Sequence, residues 1–365
     1  MAQSAIQGMC IKSLDDKIEA ETHRLRYFPG GMTRGVVLIN VGTPDEPTTP
    51  AVRRYLKEFL LDPDVIDIPA PIRHLLVRGI ILNTRPRKVA PKYASIWMNE
   101  GAPLRVYTQR ICEALHQDSQ IEFEVGMRYG NPTIRGALER LRDRGVTDLL
   151  IAPLFPHHAQ ATTETALKQT YRDLKKINWS PRILELGDFP IDPGFIEPLV
   201  DSIRPHINES NHLLFSYHGL PLSHIRRIDK TGSHCLNDGC CKVKDLANKK
   251  CYAHQCMMTS MAVAGSLKIP ESRWSHSYQS RLGPAKWLSP ATSRTVEELA
   301  EKGIKDLVIV SPAFVADGLE TLEELEIEVK EEFVAAGGHT VKVVPCLNDR
   351  EDWIKGLEGI ILQAF

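Results

Sequence analysis

Eight short apolar runs alternate with amphipathic stretches along most of the chain. These runs are candidate buried strands, and they lie at residues 35–40, 122–128, 148–153, 182–186, 213–217, 273–278, 306–310 and 340–344. Between them, apolar residues recur with helical spacing, as in residues 133–144 and 292–302. This alternation of strand and helix predicts an α/β protein whose parallel sheets are covered by helices on both faces.

Two pairs of segments resemble each other and occur in the same order. Residues 36–44 (VVLINVGTP) resemble residues 213–221 (LLFSYHGLP), and residues 145–153 (GVTDLLIAP) resemble residues 303–311 (GIKDLVIVS). The simplest interpretation is two similar Rossmann-like lobes with a cleft between them. The alternative is that short β-α units converge on such patterns without a common plan.

The lobe interpretation divides the chain into consecutive parts. We predict a polar N-terminal extension (1–33), a first lobe (34–177) and a second lobe (178–350) that includes a cysteine-rich segment (235–256). A final helix at 351–365 is expected to pack on the first lobe. His218 then occupies the position that Val41 holds in the first lobe.

The composition excludes few classes of protein, but it bears on nucleic-acid binding and on the expected cellular compartment. The chain has 365 residues, of which 42% are hydrophobic and 25% charged, and its formal net charge is −1. This balance, without a long basic run, gives no support for nucleic-acid binding. No apolar run is long enough to span a membrane, and the first 31 residues lack a signal-type apolar core, so the cytoplasm is the expected compartment.

His218 is the strongest candidate for chemistry. It ends an apolar strand and precedes Gly-Leu-Pro, so its imidazole is expected at the carboxyl end of a sheet strand, where α/β proteins bind ligands. A neutral imidazole can accept a proton near pH 7 or bind a transition metal. The alternative is a buried histidine whose two ring nitrogens are both hydrogen bonded within the core.

Glu320 follows another buried strand and begins an acidic helix. Glu320, Glu324 and Glu328 recur every four residues and therefore share a helix face, which could guide a divalent cation inward. We expect Glu320 to face His218 as a metal ligand or proton acceptor. The alternatives are a helix-capping carboxylate for Glu320 and a solvated acidic face for the row.

Five of the eight cysteines fall within 22 residues. They are Cys235, Cys240, Cys241, Cys251 and Cys256. Free, metal-bound or redox-active thiols are more common than disulfides in the cytoplasm, and four of these five are suited to a zinc site or to a [2Fe–2S] cluster. The spacing does not choose between the two metals, nor does it show which of Cys240 and Cys241 is the spare. The alternative is five unligated thiols. Cys10, Cys112 and Cys346 stand alone and are expected to be structural.

Two further features are candidate parts of a binding site. Arg128 and Tyr129 end a predicted strand, where they are suited to hold a carboxylate-bearing ligand, or where the arginine is structural. Residues 59–82 are apolar but interrupted by charges. This stretch is interpreted as the lip of an apolar pocket, a membrane-contacting surface or an ordinary buried helix.

Taken together, these motifs resemble those of ferrochelatases, which insert ferrous iron into a porphyrin at the end of haem synthesis. The resemblance runs from about Gly35 to the C-terminus. It rests on five motifs, at residues 40–44 (NVGTP), 126–129 (GMRY), 215–221 (FSYHGLP), 279–288 (QSRLGPAKWL) and 317–323 (DGLETLE).

The resemblance implies residue roles, a substrate and a cofactor. His218 and Glu320 would be the paired metal-site residues, and the side chains that line the porphyrin pocket would be Arg128, Tyr129, Tyr93, Phe314 and Trp287. Some bacterial members carry a similar cysteine-bearing insertion, which favours a [2Fe–2S] cluster over zinc. Many members have histidine where this chain has Gly318, so an auxiliary handler of protons or metal is absent here.

Other functions fit parts of the same sequence. Another tetrapyrrole chelatase would share the lobes but should have a more basic pocket. A two-lobed binding protein without chemistry is usually exported. In an iron–sulfur redox sensor, the cysteine-rich segment would be the functional part and the cleft would have no role. The apolar stretch at residues 59–82 favours a weakly polar porphyrin, such as protoporphyrin IX or coproporphyrin III, as the substrate.

Overall fold

The computed structural model describes residues 32–117, 119–281, 283 and 285–365. Cys10 and residues 1–31 of the predicted N-terminal extension lie outside the described residues. All eight predicted strands are present in the described chain. They are β1 (Arg34–Thr43), β2 (Glu122–Gly130), β3 (Asp148–Pro153), β4 (Arg182–Glu185), β5 (His212–His218), β6 (Trp274–Gln279), β7 (Asp306–Val310) and β8 (Thr340–Val343).

Helices connect these strands. The α-helices are α1 (Thr49–Leu61), α2 (Ala70–Leu75), α3 (Leu82–Ser95), α4 (Pro103–Gln117), α5 (Ile134–Asp143), α6 (Thr165–Lys176), α7 (Pro193–Ile203), α8 (Leu222–Ile228), α9 (Tyr252–Ser266), α10 (Thr292–Glu301), α11 (Lys330–Ala335) and α12 (Glu351–Ala364). Three π-helical segments also occur, at Leu76–Ile81, Gln160–Glu164 and Glu320–Val329. We call the last of these the acidic π-helix. Short 3-10 turns lie at Arg204–His206, Leu246–Asn248 and Glu271–Arg273.

The strands form two parallel four-stranded sheets with the same plan. Their orders are β2-β1-β3-β4 and β6-β5-β7-β8. The registers also correspond, because Val36 pairs with Phe123 as Leu213 pairs with Trp274. The two-lobe prediction is therefore confirmed, and the sequence resemblance between β1 and β5 and between β3 and β7 reflects a structural repeat.

Burial on both faces explains the near-continuous apolar runs. Residues 36–39 of β1 are fully buried, as expected of a parallel strand covered by helices on each side. One face of each sheet packs on its own helices, and the other contributes to a large core shared by both lobes. This shared core fixes the lobes on either side of the cleft.

The predicted boundary between the lobes is wrong at β4. Asp148 of β3 pairs with Arg182 of β4, so the strand that was assigned to the second lobe completes the first sheet. The apolar pattern shows that a strand exists but not which sheet its edge joins. The C-terminal helix α12 packs against α4 of the first lobe and against α7.

In the described part of the chain, no helix is both long enough and apolar enough to cross a bilayer.

Candidate functional site

A deep cavity opens between the carboxyl ends of the two sheets. The space between its walls, including the part open to solvent, is about 1090 Å³. Residues of β1, α1 and α3 form one side, and the loop after β7 with the start of the acidic π-helix forms the other. Among the described residues that line it, Glu320 is the one carboxylate and there is no lysine or arginine. An apolar cavity with few polar groups suits a large, flat apolar ligand.

His218 lies on the cavity wall at the end of β5, as predicted. Its Nδ1 atom is 2.7 Å from the carbonyl oxygen of Gly219. Because a carbonyl only accepts hydrogen bonds, we assign the ring proton to Nδ1, which leaves a lone pair on Nε2. A Cβ atom on Gly219 would lie 2.7 Å from the carbonyl oxygen of Gln279, so glycine is required for this turn. The ring of Phe314 packs 6.2 Å from the imidazole.

Glu320 shares the cavity with His218. Burial raises the pKa of the Glu320 carboxyl group and the Glu324 charge adds to that rise, whereas the nearby His218 ring opposes it when the ring is charged. Glu320 is therefore a stronger base than an exposed glutamate. The backbone carbonyl of Glu320 accepts a hydrogen bond of 2.8 Å from Gln279 Nε2, which ties the start of the acidic π-helix to β6.

The row Glu320, Glu324 and Glu328 runs from the cavity towards the surface, but its outer members already have partners. The Glu324 carboxylate accepts hydrogen bonds from the backbone amide (2.8 Å) and the hydroxyl of Ser280. The Glu328 carboxylate pairs with Lys92 Nζ at 2.5 Å, and Lys92 also binds Glu323 at 2.8 Å. The outer end of the row is therefore ion-paired with Lys92, and Glu320 is the member of the row that lines the cavity.

Arg128 and Tyr129 do not line the cavity in the described structure, which corrects the sequence-based expectation. Both side chains are directed to the buried carboxylate of Asp62. Arg128 Nη2 makes a short ion pair with it, Tyr129 donates a hydrogen bond of 2.9 Å, and Thr165 donates one of 2.6 Å. Burial raises the pKa of Asp62, but the hydrogen bonds and the Arg128 charge outweigh that effect and lower it. Arg128 therefore makes the contacts that the structural interpretation of this residue predicts.

The three aromatic residues predicted to bind the ligand fall in different places. Tyr93 of α3 and Phe314 line the cavity. Trp287 does not appear on the described wall; it pairs with Pro221 and lies against the Gly219 turn. It therefore supports the loop that carries His218, without facing the space where a ligand would bind.

Gly318 leaves open space beside Glu320. A Cβ atom at this position would lie 3.3 Å from the Glu320 carboxylate and would meet no other atom within 4 Å. A histidine side chain at position 318 would therefore begin next to the carboxylate. In this chain Glu320 has no such neighbour from position 318.

The cysteine-rich segment packs beside the cavity and is organised by two buried polar side chains. Asp229 accepts hydrogen bonds from the amides of His234 and Cys235. Asn248 donates to the carbonyls of Cys240 (2.9 Å) and Val243 (2.7 Å). These bonds shape the loop around its thiols.

Four of the five cysteines fall into two pairs. Cys240 Sγ and Cys241 Sγ are 3.8 Å apart, and the thiols of Cys235 and Cys251 contact each other. Burial raises the pKa of Cys235 to about 12, so this group stays a neutral thiol near pH 7 unless a cation is bound. Among the described residues, no group of three or more histidine, cysteine or acidic side chains is close enough to hold a metal ion.

Two residues near the site escaped the sequence reasoning. Tyr252 lines the cavity and donates a hydrogen bond of 2.9 Å to the backbone carbonyl of His218. Lys92 joins α3 to the acidic π-helix across 231 residues of sequence. Neither residue belongs to a motif. The one signal in the sequence is that Tyr252 directly follows Cys251 of the cysteine-rich segment.

The chain is similar to known ferrochelatases over most of its length. A family model described as Ferrochelatase matches residues 33–365. The ferrochelatase of Stutzerimonas stutzeri (strain A1501) is 42% identical over 335 residues, covering 91% of this chain and 98% of that protein. The ferrochelatase of Azotobacter vinelandii (strain DJ / ATCC BAA-1303) is 43% identical over 328 residues, covering 88% and 96%.

A solved structure shares the fold. SirB from Bacillus subtilis with Fe3+ superposes with a TM-score of 0.52 at 13% identity, covering 91% of this chain and 96% of that one.

Proposed function

The chain belongs to the ferrochelatase family and is a metal chelatase of the lyase class that forms haem from a porphyrin and ferrous iron, and we propose that His218 and Glu320 carry out the insertion. The observation that carries this proposal is the pairing of an imidazole lone pair with a carboxyl group of raised pKa in an apolar cavity between two lobes.

Insertion exchanges two protons for one metal ion. A free porphyrin holds two N–H protons, and both must leave as Fe²⁺ enters the ring. His218 Nε2 is a neutral donor suited to Fe²⁺, and Glu320, a stronger base than an exposed glutamate, is suited to accept the two protons in succession and to release each to solvent. A bound cation disfavours protons on its own ligands, so metal and proton are assigned to different groups.

The apolar walls also bear on the choice of porphyrin. Protoporphyrin IX has two carboxylates and coproporphyrin III has four. Carboxylates buried against a cavity without a described lysine or arginine would be costly. We therefore propose protoporphyrin IX as the preferred substrate.

The test is metal insertion without oxygen. We expect the chain to convert Fe²⁺ and protoporphyrin IX to haem, measured by porphyrin absorbance, with kcat/KM at least about tenfold above that for coproporphyrin III. A reversed preference would overturn the choice of porphyrin, and no conversion of either would overturn the assigned activity.

The cysteine-rich segment is proposed to hold a [2Fe–2S] cluster through Cys235, Cys240, Cys241 and Cys251. The support is the donor chemistry of four thiols that lie as two pairs in a segment shaped by Asp229 and Asn248. Cys256 is the proposed spare, because it is fully buried within α9 against the Tyr252 hydroxyl. A bound cluster would supply one-electron chemistry, which iron insertion does not consume.

Single cysteine-to-serine variants test this assignment. Removal of any one of the four proposed ligands should lower the acid-labile sulfide content and the visible charge-transfer absorbance to near zero. Cys256→Ser, the matched control, should retain both. Equal loss in Cys256→Ser, or full retention after loss of a proposed ligand, would contradict the ligand set.

The segment 70–88 is proposed to touch an anionic membrane surface, with the cytoplasm remaining the expected compartment. Ile72 (57% exposed), Leu75 (74%) and Ile80 (60%) project outwards beside the cavity-forming helices. Exposed Arg78 lies between Leu75 and Ile80 in the sequence, and exposed Arg85 follows them. Apolar side chains beside cations favour an interface with anionic lipid.

Vesicle sedimentation measures this contact. Replacing Ile72, Leu75 and Ile80 together by serine should weaken binding to phosphatidylglycerol vesicles by about tenfold or more. Val334→Ser, which alters an exposed apolar residue of α11, should leave binding unchanged. Equal binding of the triple variant and the native chain would exclude this surface.

A further inference from the structure

We infer that Tyr252 is a positioning residue for iron insertion, which links the cysteine-rich segment to His218 through one peptide group. The inference rests on the proposed role of His218. It concerns a residue that lines the cavity but lies outside the motifs that indicate the activity.

The peptide that joins His218 to Gly219 is held at both ends. Its carbonyl accepts a hydrogen bond of 2.9 Å from the Tyr252 hydroxyl, and its N–H donates a hydrogen bond of 2.8 Å to the Gln279 carbonyl. The imidazole depends on this peptide, because Nδ1 donates to the next carbonyl, that of Gly219. Rotation of the peptide would therefore redirect the Nε2 lone pair.

The sheet holds the N–H of this peptide but not its carbonyl. Strand β6 pairs with β5 as far as Gln279 opposite His218, whereas β7, on the other side, pairs with β5 only as far as Val310 opposite Phe215. Gly219 follows directly and has the widest backbone freedom of any residue. The Tyr252 hydroxyl therefore replaces a missing ladder partner at the position where orientation matters for the site.

The position of Tyr252 depends in turn on the cysteine-rich segment. Tyr252 is the first residue of α9, and Cys251 is the residue that caps it. Cys251 is 1% exposed, its amide donates to the Asn248 carbonyl at 2.8 Å, and its thiol contacts Cys235. A rearrangement around Cys251 would shift the first turn of α9 and with it the Tyr252 hydroxyl.

Tyr252→Phe tests the positioning role, with Tyr217→Phe as the matched control. Both remove a buried phenol hydroxyl from one core, but Tyr217 bonds Ser260 and leaves the His218 carbonyl alone. We expect Tyr252→Phe to lower kcat about five- to tenfold with little change in KM for porphyrin, and Tyr217→Phe to change kcat less than twofold. Unchanged kcat in Tyr252→Phe, or an equal loss in both variants, would overturn the inference.

A spectroscopic measurement separates this inference from the proposed function. In substrate-free protein labelled with ¹⁵N-histidine, the His218 ring signal, identified by its loss in His218→Ala, should shift in Tyr252→Phe and not in Tyr217→Phe. This readout needs no catalysis, so it stands even if the insertion assay fails. A His218 signal that is identical in native protein and Tyr252→Phe would overturn the link.

The contribution of the cysteines is measured by a double-mutant cycle. Cys251→Ser should shift the same His218 signal in the native background and add no shift in the Tyr252→Phe background. Independent, additive shifts would overturn the coupling to Cys251. If Cys251→Ser fails to fold, Cys235→Ser, which removes the thiol in contact with Cys251, serves in its place.

Discussion

Replacing His218 by alanine is expected to lower kcat for iron insertion by about 10³-fold while the fold survives. The variant loses the Nε2 lone pair at the end of β5, which the hydrogen bond from Nδ1 to the Gly219 carbonyl leaves free to bind iron in the cavity. The measurement is the rate of porphyrin metallation without oxygen. Thermal unfolding should shift by a few degrees at most, because the half-buried ring contributes one hydrogen bond to its own turn.

The matched control is His339→Ala, which removes an exposed imidazole between α11 and β8. It should retain full activity. Porphyrin binding, followed by fluorescence quenching, should be similar in His218→Ala and the native chain, because the apolar walls remain. An active His218→Ala protein would refute the assignment of this histidine, and loss of porphyrin binding would show that the cavity itself has been disturbed.

The sequence predicted the sheets well because parallel strands leave a simple signal. Each strand is buried on both faces, so it appears as a short apolar run whatever its partners. The run at residues 182–186 shows the limit of this signal, since it marks a strand without showing that β4 joins the first sheet. Sheet membership depends on pairing between distant residues, which no local pattern records.

In the candidate site, too, the local sequence predicts some residues, whereas others depend on contacts with distant parts of the chain. His218 and Glu320 were predictable because His218 ends β5 and Glu320 begins the helix that follows β7, and the carboxyl ends of parallel strands meet at one edge of a sheet. Arg128 also ends a strand, but its direction is set by Asp62, which lies 66 residues away in sequence. Lys92 and Tyr252 act through contacts formed only in the folded chain, so no motif could indicate them.

Replacing Glu320 by glutamine is expected to lower kcat by about 10²-fold and to change the shape of the pH profile. The substitution keeps the side chain's size and removes its charge and its ability to accept a proton. Burial raises the pKa of Glu320, so the native carboxyl group becomes protonated at a higher pH than an exposed glutamate. The native rate should therefore fall, as pH decreases, from a point above the usual glutamate range.

The slope of that acid limb distinguishes a proton acceptor from a passive charge. In the native chain the Glu320 carboxyl group must be unprotonated to accept a proton, so its protonation adds one to the slope of the acid limb of log kcat/KM. Glu320→Gln lacks this titrating group, so its acid limb should be shallower by one. Glu326→Gln, on an exposed position of the same acidic π-helix, should reproduce the native profile. An acid limb of the same slope in Glu320→Gln and in the native chain would mean that Glu320 does not take the proton.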